Sequence, residues 1–270
     1  ADVWSERGEF LLDGEGRPTK VAGVPPDYFS EEGQLWGNPL YNWPAMKQDG
    51  FGWWIRRVGG ASRLFDAIRI DHFRGLESYW AVPAESDTAK AGAWEKGPGM
   101  DLLRVLTSWF PKTAYIAEDL GILTDAVHRL RDEAGLPGMK VLEFAFSGPD
   151  NAYLPHHYQP GCICYTGTHD NDTAVGWYEH ASPEERAFAE TYLGVSGAES
   201  VRKALLRCGQ SSVAELFVAQ MQDYLGLGSE ARLNVPGVAE GNWCWRLLPG
   251  QVSQELAEEI RSMTAAFSRC

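Results

Sequence analysis

Short apolar runs alternate with segments of helical periodicity through most of the chain. The apolar runs predict strands at Phe65–Ile70, Ala114–Ala117, Met139–Phe146, Cys162–Thr166 and Val213–Gln220. The segments between them predict helices at Met100–Phe110, Thr124–Ala134, Pro183–Leu193 and Glu199–Cys208. Such alternation is typical of parallel strands joined by crossover helices. A doubly wound sheet and a (β/α)8 barrel both fit it, although the strand-helix units are fewer than a closed barrel needs.

The flanking segments follow other patterns. Residues 1–44 are rich in Gly, Pro, Asp and Asn without a sustained period, so we predict a long loop there. Residues 45–64 predict a helix, and a final amphipathic helix is predicted at 253–267. Ser182 stands before Pro183-Glu184-Glu185, which predicts a capping box at the start of a helix.

Composition and charge narrow the classes of partner. The formal net charge of -13 at pH 7 disfavours nucleic acid, whose phosphates require clustered Lys and Arg. No apolar run is long enough to cross a bilayer, so no membrane partner is expected. The cysteines show no zinc-site spacing, and we expect reduced thiols in a cytoplasmic protein.

Tryptophan is unusually frequent, and several tryptophans stand beside Gly, Asn and Pro. These segments are Trp36-Gly37-Asn38-Pro39, Asn42-Trp43-Pro44 and Gly241-Asn242-Trp243. An indole on a loop offers a flat apolar face with a polar edge, which suits stacking on a sugar ring. Ordinary packing of the loops against the body of the protein explains the same pattern, and both interpretations stay open.

Three of the predicted strands end in acidic residues, at Asp71, at Glu118 and at Asp170. The carboxyl ends of the strands in a parallel barrel converge on one face, where active sites lie. Arg69 lies two positions before Asp71, so both side chains are expected on the same face, where the guanidinium favours an ionised carboxylate. Two other interpretations of the three acids stay open. They only begin loops or cap helices, or they form a site for a divalent metal ion.

Paired carboxylates in such a barrel suit cleavage of a glycosidic bond. One carboxylate attacks the sugar as a nucleophile, and the other protonates the leaving oxygen and later acts as a base. Water as the incoming group gives hydrolysis, whereas a sugar hydroxyl gives transfer.

Several segments of the sequence resemble a known family, the amylomaltases. These are 4-α-glucanotransferases, also called disproportionating enzymes, and they form glycoside hydrolase family 77 in the α-amylase clan. The segments at 23–30 and 33–41 resemble the family's loop signature. The segments Arg69–Gly75, Ile116–Gly121 and Thr168–Asn171 resemble its catalytic segments, in the family's order, and those at 234–237 and 241–243 resemble its C-terminal loop.

The resemblance implies one catalytic domain over residues 1–270. It would be a (β/α)8 TIM barrel of the α-amylase type, present as about its fourth to eighth strands, with residues 1–44 an active-site loop region. The first barrel strands are expected to be missing from this sequence.

The resemblance also implies roles for individual residues. Asp71 would be the nucleophile, Glu118 the general acid and base, and Asp170 the residue that holds sugar hydroxyls and stabilises the transition state. Arg69 would orient Asp71, and His169 would bond the donor sugar. The further substrate contacts implied are Tyr28, Gln34, Trp36, Asn38, Phe144 and Asn171, with Phe144 on the acceptor side. No organic cofactor and no catalytic metal are expected.

The activity implied is transfer of an α-1,4-glucan segment to the 4-hydroxyl of an acceptor glucose or maltooligosaccharide, by a retaining double displacement. A clan-related α-glucan hydrolase is one alternative. An inert or non-catalytic glucan-binding fragment is the other.

Overall fold

The computed structural model describes residues 2–26, 30–121 and 123–269. The chain forms two compact units, Ala1–Gly138 and Met139–Cys270. A single domain over the whole chain stays a prediction.

The first unit combines an antiparallel sheet, a parallel strand pair and helices. Its strands are β1 (Lys20–Val24), β2 (Gln34–Pro39), β3 (Ala67–Ile70), β4 (Ser78–Pro83), β5 (Ala93–Lys96) and β6 (Ala114–Ala117). Its helices are α1 (Asp2–Ser5), α2 (Trp43–Gln48), α3 (Gly52–Ala61), α4 (Met100–Trp109) and α5 (Asp125–Glu133), with 3-10 turns at Arg7–Glu9, Phe73–Leu76 and Ala89–Ala91.

Four strands form an antiparallel sheet in the order β2-β1-β4-β5, which the sequence did not predict. The prediction of loop over residues 1–44 is therefore wrong for β1 and β2. Gly23, which favoured loop in the sequence, lies where β1 pairs with β2, opposite Leu35. A Cβ at Gly23 would come within 2.5 Å of the Gln34 carbonyl oxygen, so glycine permits this close pairing.

The parallel pair of the first unit is β3 with β6, and it agrees with two predicted strands. The paired positions run from Ala67 with Ala114 to Ile70 with Ala117. The helix predicted over residues 45–64 is instead two helices, α2 and α3. They are separated by Phe51, whose φ of 61° is in the left-handed region and interrupts a regular helix.

The second unit contains a sheet of the order β7-β8-β9, formed by β7 (Gly138–Val141, which begins at the unit boundary), β8 (Cys162–Tyr165) and β9 (Leu216–Val218). Its helices are α6 (Ala174–His180), α7 (Pro183–Leu193), α8 (Ala198–Ser211), α9 (Met221–Leu225) and α10 (Gln254–Ala266), with 3-10 turns at Leu142–Phe144, Pro155–His157 and Ser229–Ala231. The strands β8 and β9 are parallel. The predicted capping box of Ser182 and Glu185 at the start of α7 is confirmed.

The strand predicted over Met139–Phe146 is wrong beyond Val141. The chain turns there into the 3-10 helix Leu142–Phe144, so Phe144 does not lie on a strand. The apolar pattern that suggested a strand here has another cause. Leu142 and Phe146 are buried in the core of the second unit, although the backbone is not extended. Among the described residues, no helix has the length and apolar character required to span a membrane.

Candidate active site

Asp71 and Glu118 lie directly beyond the paired ends of β3 and β6. Ile70 pairs with Ala117, so the two acids occupy the next position on neighbouring parallel strands. The Glu118 N–H donates to the Ile70 carbonyl at 3.0 Å, and the Phe73 N–H donates to the Glu118 carbonyl at 3.2 Å. These backbone bonds continue the pairing past the strands and hold the two acids side by side.

The surroundings of the two carboxyl groups differ. Asp71 is exposed and forms an ion pair with Arg69, with Nη2 and Oδ1 2.8 Å apart. Glu118 is partly buried, and burial raises the pKa of its carboxyl group. A hydrogen bond from the Leu120 N–H and the charge of Arg69 lower this pKa in part, whereas the charge of Asp71 raises it. The pair therefore combines an accessible carboxylate with an acid that holds its proton more tightly than usual.

His72 follows Asp71 in a backbone conformation that is uncommon for a residue with a side chain. Its φ is 45°, and its ring contacts the ring of Trp36 edge-on, with the centroids 4.8 Å apart. Burial first, and then the charge of Arg74, lower the pKa of His72 to about 4. The imidazole is therefore neutral at neutral pH. No role was predicted for His72, although its position next to Asp71 was a signal.

A cleft of about 520 Å³ in the first unit contains part of the predicted site. Asp71, Arg69, His72, Trp36 and Asn38 all line it. Glu118 is not among its lining residues. The aromatic residues Tyr41, Trp43, Trp54 and Tyr79 complete much of its wall.

The predicted glucan contacts of β2 lie on an exposed strand. Gln34 and Trp36 lie on the same face of β2, and the Trp36 Nε1–H donates to Gln34 Oε1 at 3.2 Å. This bond links the indole that borders the cleft to the Gln34 side chain. Tyr28 lies outside the described residues.

In the second unit, the residues after β8 form a tightly bonded loop that carries His169 and Asp170. The fully buried Asp223 accepts hydrogen bonds from the Thr166 hydroxyl and, at 2.8 Å, from the Ala174 N–H. One carboxylate thereby joins the beginning and the end of the loop.

Asp170 itself is held by residues from a later part of the chain. The Asn234 side-chain amide donates to Asp170 Oδ1 at 2.6 Å, and Arg232 Nη2 donates to the Asp170 carbonyl at 2.6 Å. His169 Nε2 lies 3.4 Å from Asp170 Oδ2. No site role was predicted for Arg232 or Asn234, and only Asn234 belonged to a segment with the family resemblance.

The side chain of Asn171 is held by hydrogen bonds, whereas the ring of Phe144 is exposed to solvent. Asn171 Oδ1 accepts from the Thr168 N–H at 2.9 Å and from the Thr168 hydroxyl at 2.8 Å, so its carbonyl shapes the loop. Phe144 is 42% exposed and meets Tyr153 edge-on, with the ring centroids 5.7 Å apart. An exposed aromatic ring remains available for a ligand.

The structure thus brings most of the predicted residues that it describes together in two groups. Arg69, Asp71, Glu118, Trp36 and Asn38 are grouped in the first unit. His169, Asp170 and Asn171 are grouped in the second. Within the described parts of the chain, no three His, Cys, Asp or Glu side chains are arranged to hold a metal ion.

Comparisons with known proteins place this geometry in context. The model of glycoside hydrolase family 77, described as 4-alpha-glucanotransferase, matches residues 1–251. The 4-alpha-glucanotransferase of Thermus thermophilus is 52% identical over 100% of this chain and 55% of its own length. The chloroplastic/amyloplastic 4-alpha-glucanotransferase of Solanum tuberosum is 46% identical over 100% of this chain and 47% of its own. The chain therefore spans about half the length of the curated relatives it matches.

Solved structures agree with the family match. The amylomaltase of Streptococcus agalactiae in complex with acarbose superposes with a TM-score of 0.93 at 36% identity, over 99% of this chain and 55% of its own. The amylomaltase of Corynebacterium glutamicum is 20% identical with a TM-score of 0.79, over 100% of this chain and 44% of its own, and shows likeness of fold.

Proposed function

Because the chain belongs to the 4-alpha-glucanotransferase family, glycoside hydrolase family 77, we propose that it carries the catalytic residues of such an enzyme. The enzyme would transfer a segment of an α-1,4-glucan to the 4-hydroxyl of an acceptor glucose or maltooligosaccharide. The observation that carries the proposal is the pairing of Asp71 and Glu118 at neighbouring strand ends. One is exposed and ion-paired, and the other is partly buried with a raised pKa.

We infer that the two units belong to one (β/α)8 barrel of the α-amylase type. The parallel pair β3 with β6 and the parallel pair β8 with β9 support this, as do the helices α4 between β3 and β6, α5 between β6 and β7, and α6, α7 and α8 between β8 and β9.

The reaction would proceed in two displacements. In the first, the Asp71 carboxylate attacks the anomeric carbon of the donor glucan while Glu118 gives its proton to the leaving glycosidic oxygen. The bond between the anomeric carbon and that oxygen breaks, and a glucosyl ester of Asp71 forms. In the second, Glu118 takes the proton of the acceptor 4-hydroxyl, whose oxygen attacks the anomeric carbon and releases Asp71. Two inversions retain the α configuration.

The electrostatics of the two acids support this division of roles. The positive charge of the Arg69 guanidinium balances the negative charge of the Asp71 carboxylate in the resting site. Both residues line the cleft. The raised pKa of Glu118 favours its protonated form, which suits donation of a proton to the leaving oxygen. Asp170 and His169 would bind hydroxyls of the donor sugar, and Trp36 and Asn38 would contact the glucan along the cleft.

The substrate class follows from the family, and the acarbose complex of the Streptococcus agalactiae amylomaltase is consistent with it. Acceptance of glucose and a cytoplasmic location stay predictions. The Solanum tuberosum relative is described as chloroplastic/amyloplastic.

The experiment is incubation of the protein, in its full natural sequence, with maltotriose. Transfer predicts glucose together with maltooligosaccharides longer than the substrate, at a constant number of reducing ends. Asp71→Asn should abolish the products. A rise in the number of reducing ends without longer products would show that the enzyme is a hydrolase and not a transferase. Absence of any product would contradict both activities.

A further inference from the structure

Trp243 combines an exposed ring with a backbone conformation that few bulky residues adopt. Its φ is 61°, in the left-handed region, and its side chain is 53% exposed. Burial of the ring therefore does not explain why an indole occupies a position that favours glycine. Strained residues of this kind concentrate at ligand sites.

The loop that presents Trp243 is fixed by its own hydrogen bonds. The Trp243 N–H donates to the Leu233 carbonyl at 2.6 Å and closes the loop. Inside the loop, Asn242 Oδ1 accepts from the Val235 N–H at 2.9 Å, and Asn242 Nδ2 donates to the Val238 carbonyl at 2.8 Å. The indole therefore projects from a rigid support.

The same loop is joined to the predicted donor-sugar residues. Asn234 binds the Asp170 carboxylate, and Arg232 binds the Asp170 carbonyl. The ring of Trp243 lies beside the ring of His169, with the centroids 5.4 Å apart and the planes tilted by 34°. Trp243 thereby extends the surface that begins at His169 and Asp170 with a flat apolar face.

We propose that Trp243 is a stacking platform for the glucose unit next to the one that His169 and Asp170 hold. This inference rests on the proposed function and adds a residue that determines which glucans bind well. The C–H face of a glucose ring packs on an indole, and the ring's hydroxyls stay at the edge in water. A platform beside the sugar that His169 and Asp170 hold contributes to donor affinity rather than to the chemical step.

The backbone of Trp243 allows a variant that separates binding from folding. Trp243→Gly removes the ring and relieves the left-handed strain, since glycine adopts positive φ without penalty. We expect its melting temperature to be unchanged or slightly raised. Trp243→Phe retains an aromatic face. Trp109→Ala, at an exposed tryptophan outside the cleft lining, is the matched control.

The test is calorimetric titration with maltoheptaose, together with donor KM and kcat for maltoheptaose and maltotriose. The proposal expects Trp243→Gly to raise the Kd and KM for maltoheptaose by roughly tenfold with little change in kcat, as for loss of one aromatic stacking contact. Trp243→Phe should stay within about threefold of the wild type, since the phenyl ring still stacks. Trp109→Ala should match the wild type.

Three results would overturn the inference, each in a different way. If Trp243→Gly bound maltoheptaose as tightly as the wild type, Trp243 would not be a stacking platform, and the proposed function would be unaffected. Failure of the wild type itself to bind or convert maltoheptaose would remove the proposed function and the platform together. A large fall in melting temperature of Trp243→Gly would assign the indole to structure instead.

Discussion

Asn234 and Asp170 are joined by a hydrogen bond of 2.6 Å, although 64 positions separate them along the chain. The amide holds one carboxylate oxygen, and His169 lies near the other. The orientation of Asp170 therefore depends on a residue to which the sequence pattern assigned no role.

Replacing Asn234 with Ala is expected to weaken catalysis more than folding. Loss of a hydrogen bond to a charged group amounts to about 1.5–3 kcal/mol, or roughly 10- to 150-fold in kcat/KM. Steady-state kinetics with maltotriose and a thermal melt would measure both effects. Gln254→Ala, at the exposed start of α10, is the control. Unchanged kcat/KM would show that Asp170 does not need this anchor.

The pH dependence of activity should report on Glu118. Burial raises its pKa, so kcat/KM should fall on the alkaline side as Glu118 loses its proton, at a higher pH than for an ordinary glutamate. The charge of Arg69 lowers this pKa, and Arg69→Gln should therefore move the alkaline limb to still higher pH, even if the rate is small. Arg104→Gln, at a surface arginine paired with Glu133, should leave the limb in place. A shift to lower pH in Arg69→Gln would contradict the assignment of the limb to Glu118.

The stability of the protein should depend on pH through Glu143. This buried residue packs against the start of the loop that carries Asp170. Its N–H donates to the Thr166 carbonyl, and its Oε1 is so close to Gly167 that a Cβ added there would lie 2.6 Å from it. Burial, and then the charges of Asp223 and Asp172, raise its pKa well above 4.5, whereas Arg232 lowers it.

The sign of the effect follows from the raised pKa in the folded state. Above about pH 4.5 the unfolded chain ionises Glu143 while the folded protein keeps it neutral, so folding loses up to about 1.4 kcal/mol per pH unit until the folded pKa is reached. Glu143→Gln cannot ionise. Its melting temperature relative to the wild type should rise steadily with pH, whereas Glu184→Gln, at an exposed position, should show a constant difference. A difference for Glu143→Gln that is independent of pH would argue against a neutral Glu143.

Phe144 is expected to influence the choice between water and sugar as the acceptor. Its exposed apolar face would disfavour water, so Phe144→Ala should raise hydrolysis relative to transfer, measured as reducing ends per longer maltooligosaccharide formed. Phe65→Ala is matched to it because Phe65 is also an exposed phenylalanine. An unchanged ratio in Phe144→Ala would leave its ring with a packing role against Tyr153.

The sequence predicted those parts of the fold in which local pattern and tertiary packing agree. The strand β6 was predicted with its bounds, because Ala114–Ala117 is a short apolar run whose last three residues are buried. The helix α6 was missed because Gly176 weakens the helical pattern. A Cβ at Gly176 would collide with the Ser229 hydroxyl, so this glycine permits a contact between segments that are distant in sequence.

The candidate site divides in the same way. Arg69 and Asp71 could be predicted as a pair because strand geometry alone places them on one face. The bonds from Asn234 and Arg232 to Asp170 could not, because they join segments that only the folded chain brings together.

The carboxylate of Asp223, which joins Thr166 to Ala174, has a consequence for the proposed binding of sugar at this loop. Ordering a residue's backbone costs about 1–2 kcal/mol of conformational entropy. Because Asp223 closes the loop in the unliganded protein, this entropy is lost when the chain folds and not when a ligand arrives. A sugar bound by His169 and Asp170, as proposed, would meet a preorganised surface, so more of its interaction energy would appear as affinity.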